Sequence, residues 1–137
     1  MKLRIVKRWQ DDDGMVELEL HAETRDYATR SRFYTYPDRL MRFAHELVDF
    51  SGATADRPCF EEGSQEGTSA YWIRLRALAF DARGHSLLQL STVRRGDVLE
   101  RAAFDYSSEM EVAAINRLGT TLVAWIEVGA DDFVYEP

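Results

Sequence analysis

Residues 33–50 read FYTYPDRLMRFAHELVDF, and residues 104–125 read FDYSSEMEVAAINRLGTTLVAW. Both begin as a strand with an aromatic residue, pass through a polar start and continue as an amphipathic helix. The helical stripes are Leu40, Phe43, Ala44, Leu47 and Phe50 in the first, and Ile115, Leu118, Leu122 and Trp125 in the second. Apolar residues three and four apart mark one buried helix face. Two such stretches predict hairpins that feed helices lying over a sheet. The halves align at an offset near 71, with Phe33 on Phe104, Ala44 on Ile115 and Leu47 on Leu118. That alignment fits an old duplication, and it also fits the general look of any strand-to-helix unit.

Working outward, Met1–Trp9 alternates as a strand, and Asp11-Asp12-Asp13-Gly14 makes a turn. Val16, Leu18, Leu20 and Ala22 then alternate with Glu17, Glu19, His21 and Glu23, the pattern of a half-buried antiparallel strand. A tight turn at Arg25-Asp26 sets Leu18 opposite Phe33, Glu19 opposite Arg32 and His21 opposite Arg30. That register puts apolar residues on one face and opposite charges on the other, and a one-residue slip would expose Phe33. Thr35 is the expected N-cap, with Asp38 at N3 and Pro37 in the first turn. Gly52 is the expected helix stop.

Residues 53–68 read as a connection with a short edge strand at Cys59–Glu61. Ala70–Phe80 and Ser86–Arg94 form a hairpin through Asp81-Ala82-Arg83-Gly84, with Leu75 facing Leu90 and Ile73 facing Thr92. After Arg95-Gly96-Asp97 comes a strand at Val98–Tyr106. Ser108 and Glu111 then have the spacing of a capping box, and Gly129 closes the second helix. The tail, Phe133-Val134-Tyr135, is expected to fray. The predicted architecture is α+β. It has one antiparallel sheet of six or seven strands with two helices on one face, in the order β-β-β-α-(β)-β-β-β-α, within a single domain spanning 1–137.

The 137 residues carry a net charge of −7. Nucleic-acid binding normally needs a basic face to displace counterions, so this total argues against nucleic acid as a partner unless basic residues cluster into a stripe. No apolar run is long enough to span a bilayer, and Arg4, Lys7 and Arg8 interrupt any signal-like segment, so the expected location is the cytoplasm without membrane contact. The one cysteine, Cys59, excludes an internal disulfide and reads as a small, partly buried apolar residue.

Little chemistry is written in the motifs. Asp11–Asp13 lead into a strand instead of continuing a calcium loop. His21, His45 and His85 have no ligand spacing, and His45-Glu46 lacks the second histidine of a zincin. Nothing places a base beside Cys59. Ser64 lacks a nucleophile elbow. No catalytic residue, metal or cofactor is expected.

The hairpin from Ala70 is apolar on both sides. Tyr71, Ile73, Leu75, Ala77, Leu88, Leu90, Phe104 and Tyr106 share the face toward the helices. The other face mixes Trp72, Leu78, Phe80, Leu87, Val93 and Leu99 with Arg74, Arg76, Gln89 and Arg101. Aromatic residues with arginine mark interfaces. Trp72, Arg74, Arg76, Leu78, Leu87, Val93 and Leu99 are therefore the expected partner-binding residues, for a protein partner or a homodimer. The competing reading is that a curled sheet covers this face within the chain.

On Phe33–Phe43 and the segment Phe104–Trp125, the chain resembles a group of small bacterial α+β proteins with no assigned activity. Some of these are similar to immunity proteins found beside wall-associated toxins. The resemblance implies a non-enzymatic, protein-binding role, such as toxin neutralisation, and carries over no site residues. The alternative is a small-molecule module or enzyme with a site between sheet and helices. A secretion-chaperone-like dimer fits the size and charge, but not the strand-first order.

Overall fold

Hairpins account for most of the chain in the computed structural model, which describes residues 1–66, 69–96 and 101–137. Strands β1 (Lys2–Gln10), β2 (Val16–Glu23) and β3 (Ala28–Thr35) lead into helix α1 (Pro37–Val48). Strands β4 (Cys59–Gly63), β5 (Tyr71–Ala79), β6 (Ser86–Arg94) and β7 (Ala102–Glu109) lead into α2 (Val112–Val128), and β8 (Asp132–Tyr135) follows. Leu18 faces Phe33, Glu19 faces Arg32 and His21 faces Arg30, the register that keeps Phe33 buried. Leu75 likewise faces Leu90, and Ile73 faces Thr92.

These ladders form two sheets, which corrects the expectation of one. The orders are β3-β2-β1-β8 and β4-β5-β6-β7. The sheets meet through side chains at their edges. The Tyr34 N–H donates to the Tyr71 hydroxyl at 3.0 Å, and the Thr35 hydroxyl donates to Glu62 at 2.8 Å. Thr35 is thus drawn away from capping. Tyr36 occupies the N-cap of α1 with no side-chain cap, Pro37 follows at the first helical position, and the helix stops at Val48, before Gly52. The capping box at Ser108 is also overridden. Ser107, Ser108 and Glu109 continue β7 against Gln89, Leu88 and Leu87, and α2 starts at Val112. Gly129 does close α2, in the left-handed region, with its N–H on the Trp125 carbonyl.

The tail is docked, not frayed. Phe133 and Tyr135 are buried opposite Ile5 and Leu3, and Phe133 tilts against Trp125 at 5.6 Å. The Arg4 guanidinium clasps Asp132 with two bonds of 3.2 and 2.9 Å.

One continuous core lies between the inner sheet faces and the helix pair. Leu40, Phe43, Ala44 and Leu47 of α1 meet Ile115, Leu118, Gly119 and Leu122 of α2. Burying each leucine, isoleucine or phenylalanine among them contributes roughly 1.5–3 kcal/mol. The helices cross at Gly119, where a Cβ would lie 2.6 Å from the Val48 nitrogen and 2.7 Å from the Ala44 oxygen.

The buried stripes match at an offset of 75, so Leu40 corresponds to Ile115 and Ala44 to Gly119. The offset near 71 is one helical turn out, because it matches the aromatic strand residues instead of the crossing point. Each half is four strands and a helix: β8-β1-β2-β3 with α1, and β4-β5-β6-β7 with α2. The pairs correspond down to single residues. Phe133 opposite Ile5 matches Phe60 opposite Leu75, both phenylalanines being buried.

Candidate nucleic-acid interface

Strand alternation sends Trp72, Arg74, Arg76 and Leu78 of β5 to the outer side of the second sheet, beside Leu87 and Val93 of β6. The structure brings these residues together, but it does not leave their apolar groups open. Trp72 is only 3% exposed. Its indole N–H donates to a Glu61 carboxylate oxygen at 2.7 Å, and the Arg74 guanidinium lies 5.1 Å from its ring centroid. Val93, opposite Trp72, and the facing pair Leu78 and Leu87 are half-buried. Arg76 Nε donates to Gln89 at 2.6 Å. Leu99 lies outside the described residues. The half-buried Arg74 guanidinium thus lies over the Trp72 ring, and its Nε is buried without a hydrogen-bond partner among the described residues.

A groove of about 300 Å³ opens beside this stack, lined by Gln65, Trp72, Arg74, Val93, Ala103 and Asp105 among others. Asp105 is held at its margin by the Ser91 hydroxyl, 2.9 Å away. The wall at Gln65 is fixed by Arg95, which donates to the carbonyls of Ser64 (2.7 Å), Ser69 (3.1 Å) and Gln65. Carbonyl partners hold the guanidinium without neutralising it.

Two further grooves continue the first. One of about 530 Å³ shares Val93 and Ala103 with it and adds Arg94, Arg95 and Arg101. The next, about 290 Å³, shares Arg94 and adds Arg30, Arg32 and Tyr71 at the junction of the sheets. Shared lining residues set the three grooves side by side, from Arg30 and Arg32 on the first sheet to Arg74 on the second. Arg30, Arg74, Arg95 and Arg101 lie in no ion pair with a described carboxylate. Arg32 is paired with Glu19 at 2.6 Å. Burial pushes the Glu19 carboxyl up, but the hydrogen bonds from Arg32 and His21 outweigh it and hold the group below the usual carboxylate range.

Sequence reasoning placed Arg74, Arg76 and Arg101 on this face and missed the rest of the tract. In the sequence, Arg30 faces His21 and Arg32 faces Glu19 on the polar side of a hairpin, and Arg95 belongs to a turn. The available signal was the grouping of arginines at 30–32 and at 94–101, two stretches that only the tertiary fold joins.

Other candidate chemistry is sparse. The cleft between the first sheet and the helices, bordered by Lys7, Leu18, Leu40, Trp125 and Ile126, has about 140 Å³, below the 300–1,000 Å³ usual for ligand pockets. Cys59 is exposed on β4, not partly buried as expected. Asp11 accepts the N–H groups of Asp13 (3.1 Å) and Met15 (3.0 Å), closing a turn. Among the described residues, no three His, Cys, Asp or Glu side chains are gathered to hold a metal, and no helix is long and apolar enough to cross a membrane.

No family model and no curated protein matches the chain. Two solved structures are similar in shape. The plant transcriptional regulator PBF-2 is 12% identical with a TM-score of 0.49, covering 90% of this chain and 74% of its own. WHY3 from Arabidopsis thaliana is 12% identical with a TM-score of 0.44, covering 93% and 84%. This finding corrects the resemblance to immunity proteins, since the solved structures similar in shape include a plant transcriptional regulator. The toxin-neutralising, protein-binding role and the exclusion of nucleic acid fall with it. The physical causes are plain. Strand-into-helix stripes are packing patterns shared by unrelated proteins, and net charge is a sum that hides a local basic tract.

Proposed function

We propose that this protein binds single-stranded nucleic acid along the arginine-lined path. The observation that carries the reading is that three grooves share lining residues and end on a guanidinium lying over the Trp72 ring. Arginines along a groove suit a phosphate backbone, and a guanidinium plane suits an unstacked base. The single strand is favoured over a duplex because the tract is lined by strand and loop residues, with neither helix set in it to enter a major groove. The total of −7 does not oppose this, because screening confines the field of distant acids to within about 10 Å.

The test is fluorescence anisotropy of a labelled single strand and of its duplex, across salt. The single strand binds more tightly, and its affinity falls as salt rises. R74A weakens binding about 10-fold, in line with roughly 1–3 kcal/mol per stacked base. R74K keeps the charge but loses the plane, so it recovers little. R83A, in the β5–β6 turn, is neutral. Binding of neither form, or full recovery by R74K, defeats the stacking reading.

A further inference from the structure

The repeat within the chain places a second groove where the first sheet matches the second. Its lining includes Lys2, Arg4, His21, Glu23 and Arg30, with a volume of about 470 Å³. Equivalent ladder positions put Lys2 where the second sheet has Trp72, Arg4 where it has Arg74, and Arg30 where it has Asp105. The aromatic residue and the acid of one groove are thus both cations in the other. The first-sheet groove shares Arg30 with the junction groove, so it lies on the same path. Lys2 pairs with Glu136 at 2.8 Å and Arg4 with Asp132 at 2.9 Å, but both pairs are about half exposed. Pairs of that kind are worth about 0–1 kcal/mol, which a phosphate can displace. Arg30 has no ion pair among the described residues.

We infer that the two grooves divide one strand between them, with phosphates on the first sheet and a base at Arg74 on the second. This rests on the nucleic-acid reading and adds that the footprint spans both sheets. Equivalent geometry, with cations at two matched positions where the second sheet has an indole and an acid, is the reason for the division.

The experiment compares oligo-dT of about 4 and about 20 nucleotides, lengths that bracket a single-groove site. The intact protein is measured against the double variant K2A/R30A and against R74A. The double variant loses about 10-fold affinity for the long strand and keeps the short one within about twofold. Its salt slope falls by about 1.4, the value for two phosphate contacts on a single strand. R74A weakens both lengths. All substituted residues are exposed or half-buried, and thermal melting checks that the fold is kept. If K2A/R30A changes neither length, or both alike, the division between grooves is wrong while the nucleic-acid reading stands. If the intact protein binds neither length, the nucleic-acid reading itself fails.

Discussion

Gly119→Ala tests the helix crossing most directly. At an exposed helical site this change would stabilise by about 1 kcal/mol through propensity alone. Here the added Cβ meets the Val48 nitrogen at 2.6 Å, the Ala44 oxygen at 2.7 Å and the Leu47 Cβ at 2.8 Å. Two of these three atoms are backbone and cannot swing aside, so the helices must part. Parting them loosens the contact between Leu47 and its neighbours, which are fully buried. Overpacking costs about 1–3 kcal/mol and, against backbone, the upper part of that range applies. The net expectation is a loss of about 1–2 kcal/mol. Urea unfolding followed by circular dichroism reads this as a midpoint lower by roughly 0.5–1 M, given slopes of about 1–3 kcal/mol/M. Gly119→Val should cost more, because its branch adds volume at the same contact. A midpoint that rises with alanine would refute the close crossing and the offset of 75 built on it.

Phe133→Ala should cost about 3–5 kcal/mol, because the ring is buried against Trp125 and seats β8 on β1, and calorimetry would show it as a lower Tm. A change under about 1 kcal/mol would mean the tail is dispensable. The Glu19 carboxyl titrates below its ordinary value when folded, so its contribution is present above the unfolded pKa and is lost as pH falls through the lowered one. Urea midpoints measured downward from pH 5 should therefore fall less steeply in Glu19→Gln than in the parent, and equal slopes would count against the buried cluster with Arg32 and His21.

The hairpin registers were legible because local signals agreed. Turn residues, alternation and opposite charges across β2 and β3 admit one pairing, and Phe33 penalises any slip. The assembly of hairpins into sheets left no such mark. Whether β3 pairs with a later strand or ends a sheet depends on contacts such as Thr35 with Glu62, between residues 27 apart in sequence. The same contact explains the missed helix start, since a hydroxyl suited to capping has a better partner in the fold. Ser108 was misread for a related reason, because the ladder with Leu88 outweighs a four-residue capping pattern. At the candidate site, Trp72 and Arg74 stood out as an odd pairing on an outward face. The tract itself was hidden, because Arg30 and Arg94 come from different hairpins and meet only where the sheets adjoin.

The two sheets also differ in how far the chain must travel to complete them. All four strands of the second are consecutive, whereas the first waits for Asp132–Tyr135 to return to Leu3–Val6. Closing so long a loop delays its reward, so rates of assembly should be limited by that return and not by the hairpins. The second half then serves as the early template, and the outermost strand of the first sheet is the last piece to settle.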